Sequence, residues 1–444
     1  MLETRLPSPT VNFVDEYCAA YQTLFPQVRS FEAFKHLHLG MISDIKRKSL
    51  PAIAKVVGLD NEQSLHHFLT ESPWLAADLM TERIRIILKM LGKREIALII
   101  DDTGDRKKGK KTAYVKRQYI GNLGKVENGI VAVTAYGVFE GITFPLMAEV
   151  YKPVERLEKG DNYRSKPQIA AGIIRQLKEF GINFKLVLAD SFYGESESNF
   201  IKILEELELN FAVAIRSNHV VWLQPGERAR WNKWRKFDRV FSDGKTENRW
   251  IQEIIFGRRG SIQYWIITTD PATMPSNSTW YIMTKIPRVK YKEVGNLYGL
   301  RNWVEYGLKQ SKDELGWADF RMIDYSQIQK WWEVVMSAYL MVSLHTNPLS
   351  PDLTSKLDDS IAPIVKRFDS HAQWNQGTGW KNTLNNLRLV IQPFIFFNLI
   401  KHWLKVFPIP HLSLGFSRLI ALMNYFPGAI PTATPDKMFL FSSA

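Results

Sequence analysis

The first 90 residues carry apolar residues at the spacing of amphipathic helices. In the stretch 49–72, Leu50 and Val57 recur at helical spacing, a turn follows at Gly58, and a second apolar stripe begins at Leu65. Two short helices joined by a turn are typical of a helix-turn-helix, and equally of an ordinary helical hairpin. The exposed side of the second helix would carry Ser64, His66 and His67.

From residue 95 the pattern changes to the short apolar runs of strands. The run 95–101 is almost continuously apolar and ends in carboxylates, which predicts a buried strand. Two further runs within 129–151 flank Glu140-Gly141 and predict a hairpin. Then follow a helix over 166–181, a strand over 185–190, a helix over 196–209 and a strand over 210–216. This order predicts an α/β fold with a mixed sheet and flanking helices.

Residues 217–286 alternate apolar and polar positions and predict a β-rich segment. Six tryptophans fall in it: Trp222, Trp231, Trp234, Trp250, Trp265 and Trp280. Long helical patterns then cover about 289–315 and 327–344. Residues 345–386 are polar and turn-rich, and an apolar helical piece and a proline-containing tail end the chain.

Charge and composition narrow the class of partner. Lysine and arginine number 58 against 45 acidic residues, and the net charge of +13 favours a polyanion, although ribosome-associated, heparin-binding and membrane-surface proteins can share it. The single Cys18 excludes an intramolecular disulfide and a zinc site built on paired cysteines. No signal peptide is evident, and the apolar stretch 389–400 falls short of the roughly 20 residues of a membrane span. We expect a cytoplasmic, nucleoid-associated protein without a membrane partner.

The most informative polar residues fall on one predicted helix: Tyr298, Arg301, Glu305 and Lys312. At about 100° per residue they share an arc of about 60°. A face holding a metal ligand beside phosphate-binding cations accounts for this stripe. A salt-bridged surface face is the alternative, because Arg301 and Glu305 are four residues apart.

Two further carboxylates stand at the ends of predicted strands, Asp101 after the first and Asp190 after a later one. Carboxylates there are costly unless they are paired or bind a cation. Three acids supply the hard oxygen ligands that Mg²⁺ prefers. Two such ions about 3.5–4 Å apart can hold the attacking and leaving oxygens of a displacement at phosphorus.

These motifs resemble the DDE transposases of bacterial insertion sequences, in the branch with a Y-(2)-R-(3)-E-(6)-K signature. Tyr298, Arg301, Glu305 and Lys312 reproduce that spacing. Asp101-Asp102-Thr103 matches the family's D-x-T element, and the segment 190–194, DSFYG, resembles its segment around the second aspartate. The resemblance covers about residues 95–345.

The resemblance implies an RNase H-like core with a β-rich insertion before the glutamate helix. It implies Mg²⁺ or Mn²⁺, two ions per active site, cleavage at terminal inverted repeats, strand transfer into target DNA, and a homodimer in a paired-end complex. Some members of this branch excise through a DNA hairpin, aided by an insertion tryptophan. The resemblance thus implies a catalytic core in two parts, 93–216 and 287–345, and a β-rich insertion, 217–286. Outside it, charge and a loose helical pattern predict a helical DNA-binding region over 1–92, and a C-terminal helical region and tail cover 346–444.

By position in the family's motifs, Asp101 and Asp190 would bind the metal ions and Glu305 would complete the second site. Asp102 adjoins Asp101, and strand alternation directs the two side chains to opposite faces. Asp101 is preferred as the first ligand because it begins D-x-T, which leaves Asp102 as a cap or a partner of the ligands.

Cations near these acids are candidates for DNA contact. The run 106–117 places seven cations just after the first aspartate, where a solvated loop is the ordinary alternative. The candidate DNA-binding residues are Tyr298, Arg301, Lys312, Lys107, Lys108, Lys110, Lys111 and Arg216.

Three other functions compete with this one. A recombinase with a tyrosine nucleophile would carry an H-x-x-R element, and no histidine here has arginine three residues on. An RNase H-like metal nuclease that cuts without joining would use the same acids. A non-catalytic DNA-binding protein derived from a transposase would not need Asp101, Asp190 and Glu305 intact.

Overall fold

The computed structural model describes residues 5–241, 244–349 and 362–429. The chain divides into two compact units. We call residues 1–92, 111–113 and 308–444 the helical unit, and residues 93–110 and 114–307 the sheet unit. The expected tail beyond residue 429 and part of the expected linker, 350–361, lie outside the described residues.

The helical unit is built on helices from both ends of the chain. They are α1 (Asn12–Ala19), α2 (Val28–Ile42), α3 (Leu50–Val57), α4 (Gln63–Thr70), α5 (Ala76–Leu91), α11 (Tyr325–Leu344), α12 (Ala362–Lys366), α13 (Trp380–Val406) and α14 (Pro410–Met423). Arg83 of α5 and Glu333 of α11 form a buried ion pair, with Nη2 and Oε2 3.0 Å apart. No helix among the described residues is both long and apolar enough to cross a bilayer.

The two short helices predicted within 49–72 are confirmed as α3 and α4. Gly58 ends α3 with a φ of 83°, a left-handed conformation that glycine adopts without strain. Leu65 is buried on α4 while His66 and His67 are exposed, as the apolar stripe predicts. The described parts of the expected linker, 345–349 and 362–386, are less irregular than expected, because they contain α12 and the start of α13 at Trp380.

Among its described residues, the sheet unit has eleven strands in one mixed sheet. They are β1 (Ile96–Arg106), β2 (Lys116–Ile120), β3 (Lys125–Phe139), β4 (Ile142–Val150), β5 (Phe184–Ala189), β6 (Phe211–Ile215), β7 (Ala229–Trp231), β8 (Arg235–Val240), β9 (Thr246–Phe256), β10 (Gln263–Thr268) and β11 (Trp280–Lys285). The order is β2-β3-β1-β5-β6-β11-β10-β9-β7, with β4 on β3 and β8 on β9. The helices of this unit are α6 (Lys166–Glu179), α7 (Ser191–Gly194), α8 (Lys202–Glu206), α9 (Tyr291–Gly299) and α10 (Asn302–Lys309), whose last residues enter the helical unit.

Strand direction brings the ends of three strands to one edge. Strand β1 runs antiparallel to β3 and parallel to β5, and β5 runs parallel to β6. The carboxyl ends of adjacent parallel strands lie at the same edge of a sheet. The mixed sheet with helices fits the expected RNase H-like architecture, and the predicted hairpin is confirmed as β3 and β4.

The β-rich segment continues this sheet instead of standing apart from it. Strand β11 pairs with β6 from Tyr281↔Ile215 to Lys285↔Phe211, and β10 and β9 follow in antiparallel order. The five strands described within residues 229–285 therefore belong to the same hydrogen-bonded sheet as β1 and β5, which position Asp101 and Asp190.

The prediction of one continuous helix over about 289–315 is wrong. Helix α9 ends at Gly299 and α10 begins at Asn302. The amide of Arg301 donates to the carbonyl of Tyr298 (3.0 Å), an i→i+3 bond tighter than an α-helical one. Gly299 is a poor helix former at this point. A π-helical turn, Gln310–Glu314, follows α10, so the four signature residues are divided among separate elements instead of lying on one continuous helix.

Candidate active site

Two carboxylates meet at the shared edge of β1 and β5. Asp101 lies within β1, is 9% exposed, and accepts on its carbonyl a hydrogen bond from the hydroxyl of Thr134 (3.0 Å). Asp190 follows β5 and caps α7, its Oδ1 accepting from the amides of Phe192 (3.0 Å) and Tyr193 (3.4 Å). The carboxylate of Asp101 in turn accepts at Oδ1 from the amide of Asp102 (2.8 Å), so backbone amides hold both carboxylates.

A glycine allows the turn after Asp190 to pack closely on the neighbouring strand. A Cβ at Gly194 would overlap the carbonyl oxygen of Ala214 in β6. Only a residue without a side chain fits there, so the glycine of the D-S-F-Y-G segment sets the distance between α7 and the sheet. The sequence signal was present in that segment, but the contact it serves was not predictable.

Arg301 lies between the first and third acids. Its Nη2 donates to Oδ2 of Asp101 (3.2 Å), and its Nη1 lies 3.5 Å from Oε1 of Glu305. The Nε of Arg301 is buried and has no hydrogen-bond partner among the described residues. The structure therefore brings together Asp101, Asp190, Arg301 and Glu305, with one guanidinium bridging two carboxylates and one donor still available.

Burial and like charge dominate the electrostatics of this edge. Burial raises the pKa of Asp101 to about 7, against an opposing effect of Arg301 and with further raising by Asp190 and Asp102. Burial likewise raises the pKa of Asp190, and Arg301 again opposes it. A site that disfavours two neighbouring anions favours an added cation.

Tyr298 stands beside these charges on α9. It is 7% exposed, and burial raises the pKa of its phenol to about 12, so it remains a hydrogen-bond donor. The ring of Trp280 contacts it edge-on, with centroids 5.7 Å apart. The guanidinium groups of Arg239 and Arg249 lie 4.7 and 4.4 Å from the Trp280 ring centroid. Of the six tryptophans of the β-rich segment, Trp280 is the one in ring contact with a signature residue.

The donor chemistry of the acids fits a divalent cation, but their present arrangement is not a closed metal site. The side chain of Glu305 is 63% exposed. Within the described ranges, no three histidine, cysteine, aspartate or glutamate side chains are close enough to hold one metal ion. Oxygen ligands in a desolvated, negatively charged edge are what Mg²⁺ binds. Arg301 supplies the positive charge there in this conformation.

The other predicted DNA-binding residues are distributed over both units. Lys107, Lys108 and Lys110 follow β1 in the sheet unit, and Lys108 and Lys110 are exposed. Lys111 and Lys312 belong to the helical unit. Arg216 follows β6, is exposed, and its amide donates to Oε1 of Glu195 (2.7 Å).

Sequence reasoning missed two side chains near the acids. Lys166, the first residue of α6, forms an ion pair with Asp102. Tyr193 has a buried hydroxyl without a hydrogen-bond partner among the described residues, and three neighbouring aspartates contribute to raising its pKa. A cation at a helix N-terminus opposes the helix dipole, and that unfavourable placement was the available signal for Lys166.

Comparison with known proteins agrees with this geometry. Residues 23–252 match the model of the family described as DDE superfamily endonuclease. A probable transposase for insertion sequence element IS701 from Microchaete diplosiphon is 64% identical over 329 residues, which cover 74% of this chain and 87% of that protein. The chain therefore belongs to the DDE superfamily of endonucleases, among the transposases of insertion sequences.

Proposed function

We propose that this transposase cuts DNA at the terminal inverted repeats of its insertion sequence and joins the ends to target DNA by phosphoryl transfer. The observation that carries the proposal is the meeting of Asp101 and Asp190 at one sheet edge, with Arg301 linking Asp101 to Glu305. Acids on adjacent strands and a third acid on a following helix provide oxygen ligands for divalent cations.

Asp101, Asp190 and Glu305 would hold two Mg²⁺ or Mn²⁺ ions. Bound there, the ions would activate the attacking oxygen and stabilise the leaving oxygen. Arg301 contacts one oxygen of Asp101 and one of Glu305, so the other oxygen of each carboxylate does not depend on this arginine. The Nε of Arg301, which has no hydrogen-bond partner among the described residues, is a donor that a phosphate oxygen could accept.

The remaining chemistry falls to donors that hold DNA. Arg301 and Tyr298 would bind phosphates near the scissile bond, where preorganised donors stabilise developing charge. Lys312 would contribute a further phosphate contact. The exposed cations after β1, Lys108 and Lys110, would hold the DNA backbone beyond the site.

The assembly follows from the reaction. Two transposon ends must be cut and joined together, so we propose a homodimer in a paired-end complex with terminal and target DNA. The net charge of +13 supports a DNA partner and a nucleoid-associated, cytoplasmic location.

A strand-cleavage assay tests the proposal. The full chain is incubated with DNA carrying the terminal inverted repeats of its element and Mg²⁺, and nicked, hairpin and joined products are separated on a denaturing gel. We expect joined ends with the wild type. Glu305→Gln should abolish cleavage and still bind terminal DNA, whereas Glu179→Gln, the same change at an exposed helix end, should cleave normally.

Each outcome separates the alternatives. Nicks without joined products would identify a metal nuclease. Bound but uncut DNA with the wild type would identify a non-catalytic DNA-binding protein. Full cleavage in excess chelator would exclude the two-metal reaction altogether.

A further inference from the structure

Lys166 is a partly buried cation beside the candidate site, and the proposed reaction does not use it. Its Nζ forms an ion pair with Oδ2 of Asp102, and the two side chains are 15% and 22% exposed. The Nζ also lies 5.5 Å from the ring centroid of Phe192 and 5.7 Å from that of Tyr151. Two rings and a carboxylate therefore fix this ammonium group on three sides.

The start of α6 keeps Lys166 in place. Ser165 caps the helix, its hydroxyl accepting from the amide of Gln168, while the side chain of Gln168 accepts from the amide of Ser165. This reciprocal pair of bonds defines the first helical residue, and Pro167 stiffens the same turn. A lysine here works against the helix dipole, so the helix itself does not account for its presence.

Lys166 can affect the candidate site through its ion-pair partner, Asp102. The amide of Asp102 donates to Oδ1 of Asp101 (2.8 Å), so the two aspartates are coupled through the backbone. The charge of Asp102 reaches both candidate ligands, since it contributes to raising the pKa of Asp101 and of Asp190. Without a cation of its own, Asp102 would add an unpaired negative charge close to both candidate metal ligands.

We propose that Lys166 is a positioning residue of the candidate site, which holds Asp102 in an ion pair and so leaves Asp101 as the first carboxylate. The proposal rests on the proposed function and deepens it, because it names what decides between the adjacent aspartates of the D-D-T element. Arg301 faces Asp101 and Lys166 faces Asp102, so each aspartate has its own cation. The two pairs keep the adjacent carboxylates apart.

The proposal predicts a characteristic separation of metal binding from cleavage. Lys166→Met frees Asp102 and adds net negative charge, so Mn²⁺ should bind the full chain as tightly as in the wild type or more tightly. Cleavage of terminal DNA should nevertheless fall about 10–100-fold, the usual effect of removing a partner of a metal ligand. Lys166→Arg retains the charge and should recover most of the cleavage.

A double substitution makes the test specific. Asp102→Asn alone leaves the ammonium of Lys166 unpaired beside Asp101, and should weaken Mn²⁺ binding. The double variant, Lys166→Met with Asp102→Asn, has neither charge. It should cleave better than whichever single variant cleaves less, and it should bind Mn²⁺ more tightly than whichever single variant binds Mn²⁺ more weakly. Lys178→Met is the matched control, because Lys178 lies on the same helix with its Nζ 5.8 Å from the Phe184 ring centroid and should leave both measurements unchanged.

Calorimetry with Mn²⁺ and the cleavage gel together test whether Lys166 is a positioning residue. Wild-type cleavage by Lys166→Met would overturn the proposal. So would a loss of Mn²⁺ binding with a collapsed melting temperature and no recovery in the double variant, which would show a structural role. Weakened terminal-DNA binding that Asp102→Asn does not relieve would instead show a direct phosphate contact. If the wild type itself cuts no DNA, the proposed function fails, and the Mn²⁺ measurements on the four proteins still decide the role of Lys166.

Discussion

Removing the charge of Asp101 should make the metal-free protein more stable while abolishing its activity. The carboxylate is 9% exposed and its pKa is raised from 3.8 to about 7, chiefly by burial. Between these two values the folded protein keeps a proton that the unfolded chain has released, so stability falls as pH rises through this window and the loss is complete above about pH 7. At 1.36 kcal/mol per pKa unit, the loss is about 4 kcal/mol.

Asp101→Asn resembles the protonated acid at every pH, so its folding stability should not fall as the pH rises through this window. We expect the variant and the wild type to melt together near pH 4 and to diverge until about pH 7. One kcal/mol moves the melting temperature by about 2–4 °C in a domain of this size, so the gap should reach about 8–16 °C. The assay is thermal unfolding of the full chain from pH 4 to 8 in chelator.

Two comparisons make this result interpretable. Asp161→Asn should behave oppositely and destabilise the protein at neutral pH, because the ion pair with Lys152 and the bonded amide of Glu158 lower the pKa of Asp161. Added Mn²⁺ should stabilise the wild type, by about 2.7 kcal/mol at 100 times its Kd, and should have little effect on Asp101→Asn. A melting difference that did not grow with pH would refute the reasoning, and would mean that Arg301 fully offsets the burial of Asp101.

Three further substitutions probe other parts of the molecule. Arg301→Ala should lower cleavage about 10²–10³-fold on the gel assay, with Arg301→Lys intermediate, and a collapse of the melting temperature instead would reduce Arg301 to a structural ion pair. Gly194→Ala should displace α7 from β6 and lower both cleavage and melting temperature, whereas Gly260→Ala, whose Cβ would meet nothing closer than 4.0 Å, should change neither. Glu333→Ala should destabilise the helical unit by about 3–5 kcal/mol in denaturant unfolding because it leaves the Arg83 charge buried, and an effect below 1 kcal/mol would contradict that burial cost.

The sequence predicted the parts of the fold that local pattern determines. The strand carrying Asp101, the hairpin at Glu140-Gly141 and the helix over 166–181 all follow from periodicity and turn residues, and they are confirmed as β1, β3–β4 and α6. The predicted end of the first strand at Asp101 was wrong, because β1 continues to Arg106. Helix α6 buries one face, whereas β1, β3 and β4 are buried along most of their length, and both patterns are visible in consecutive residues. The convergence of Asp101 with Asp190 followed in turn from the parallel direction of their strands.

The features that the sequence did not predict have weak local signals or depend on contacts between residues distant in sequence. The break between α9 and α10 was hidden, because Gly299 alone does not end a helix and the neighbouring residues retain helical spacing. The pairing of β11 with β6 joins residues separated by a long stretch of chain, and no periodicity reports such a register. The ion pair of Lys166 with Asp102 spans 64 positions and likewise has no local signature.

The continuous sheet fixes the distance between β9 and the candidate catalytic acids. Four strand-to-strand steps separate β5 from β9 through β6, β11 and β10, and each step is about 4.8 Å, so β9 stands about 19 Å along the sheet from the strand that precedes Asp190. A hinged appendage could vary that distance, but a hydrogen-bonded ladder cannot without breaking. If residues of β9 contacted DNA, the distance from that contact to the cleavage site would therefore be constant.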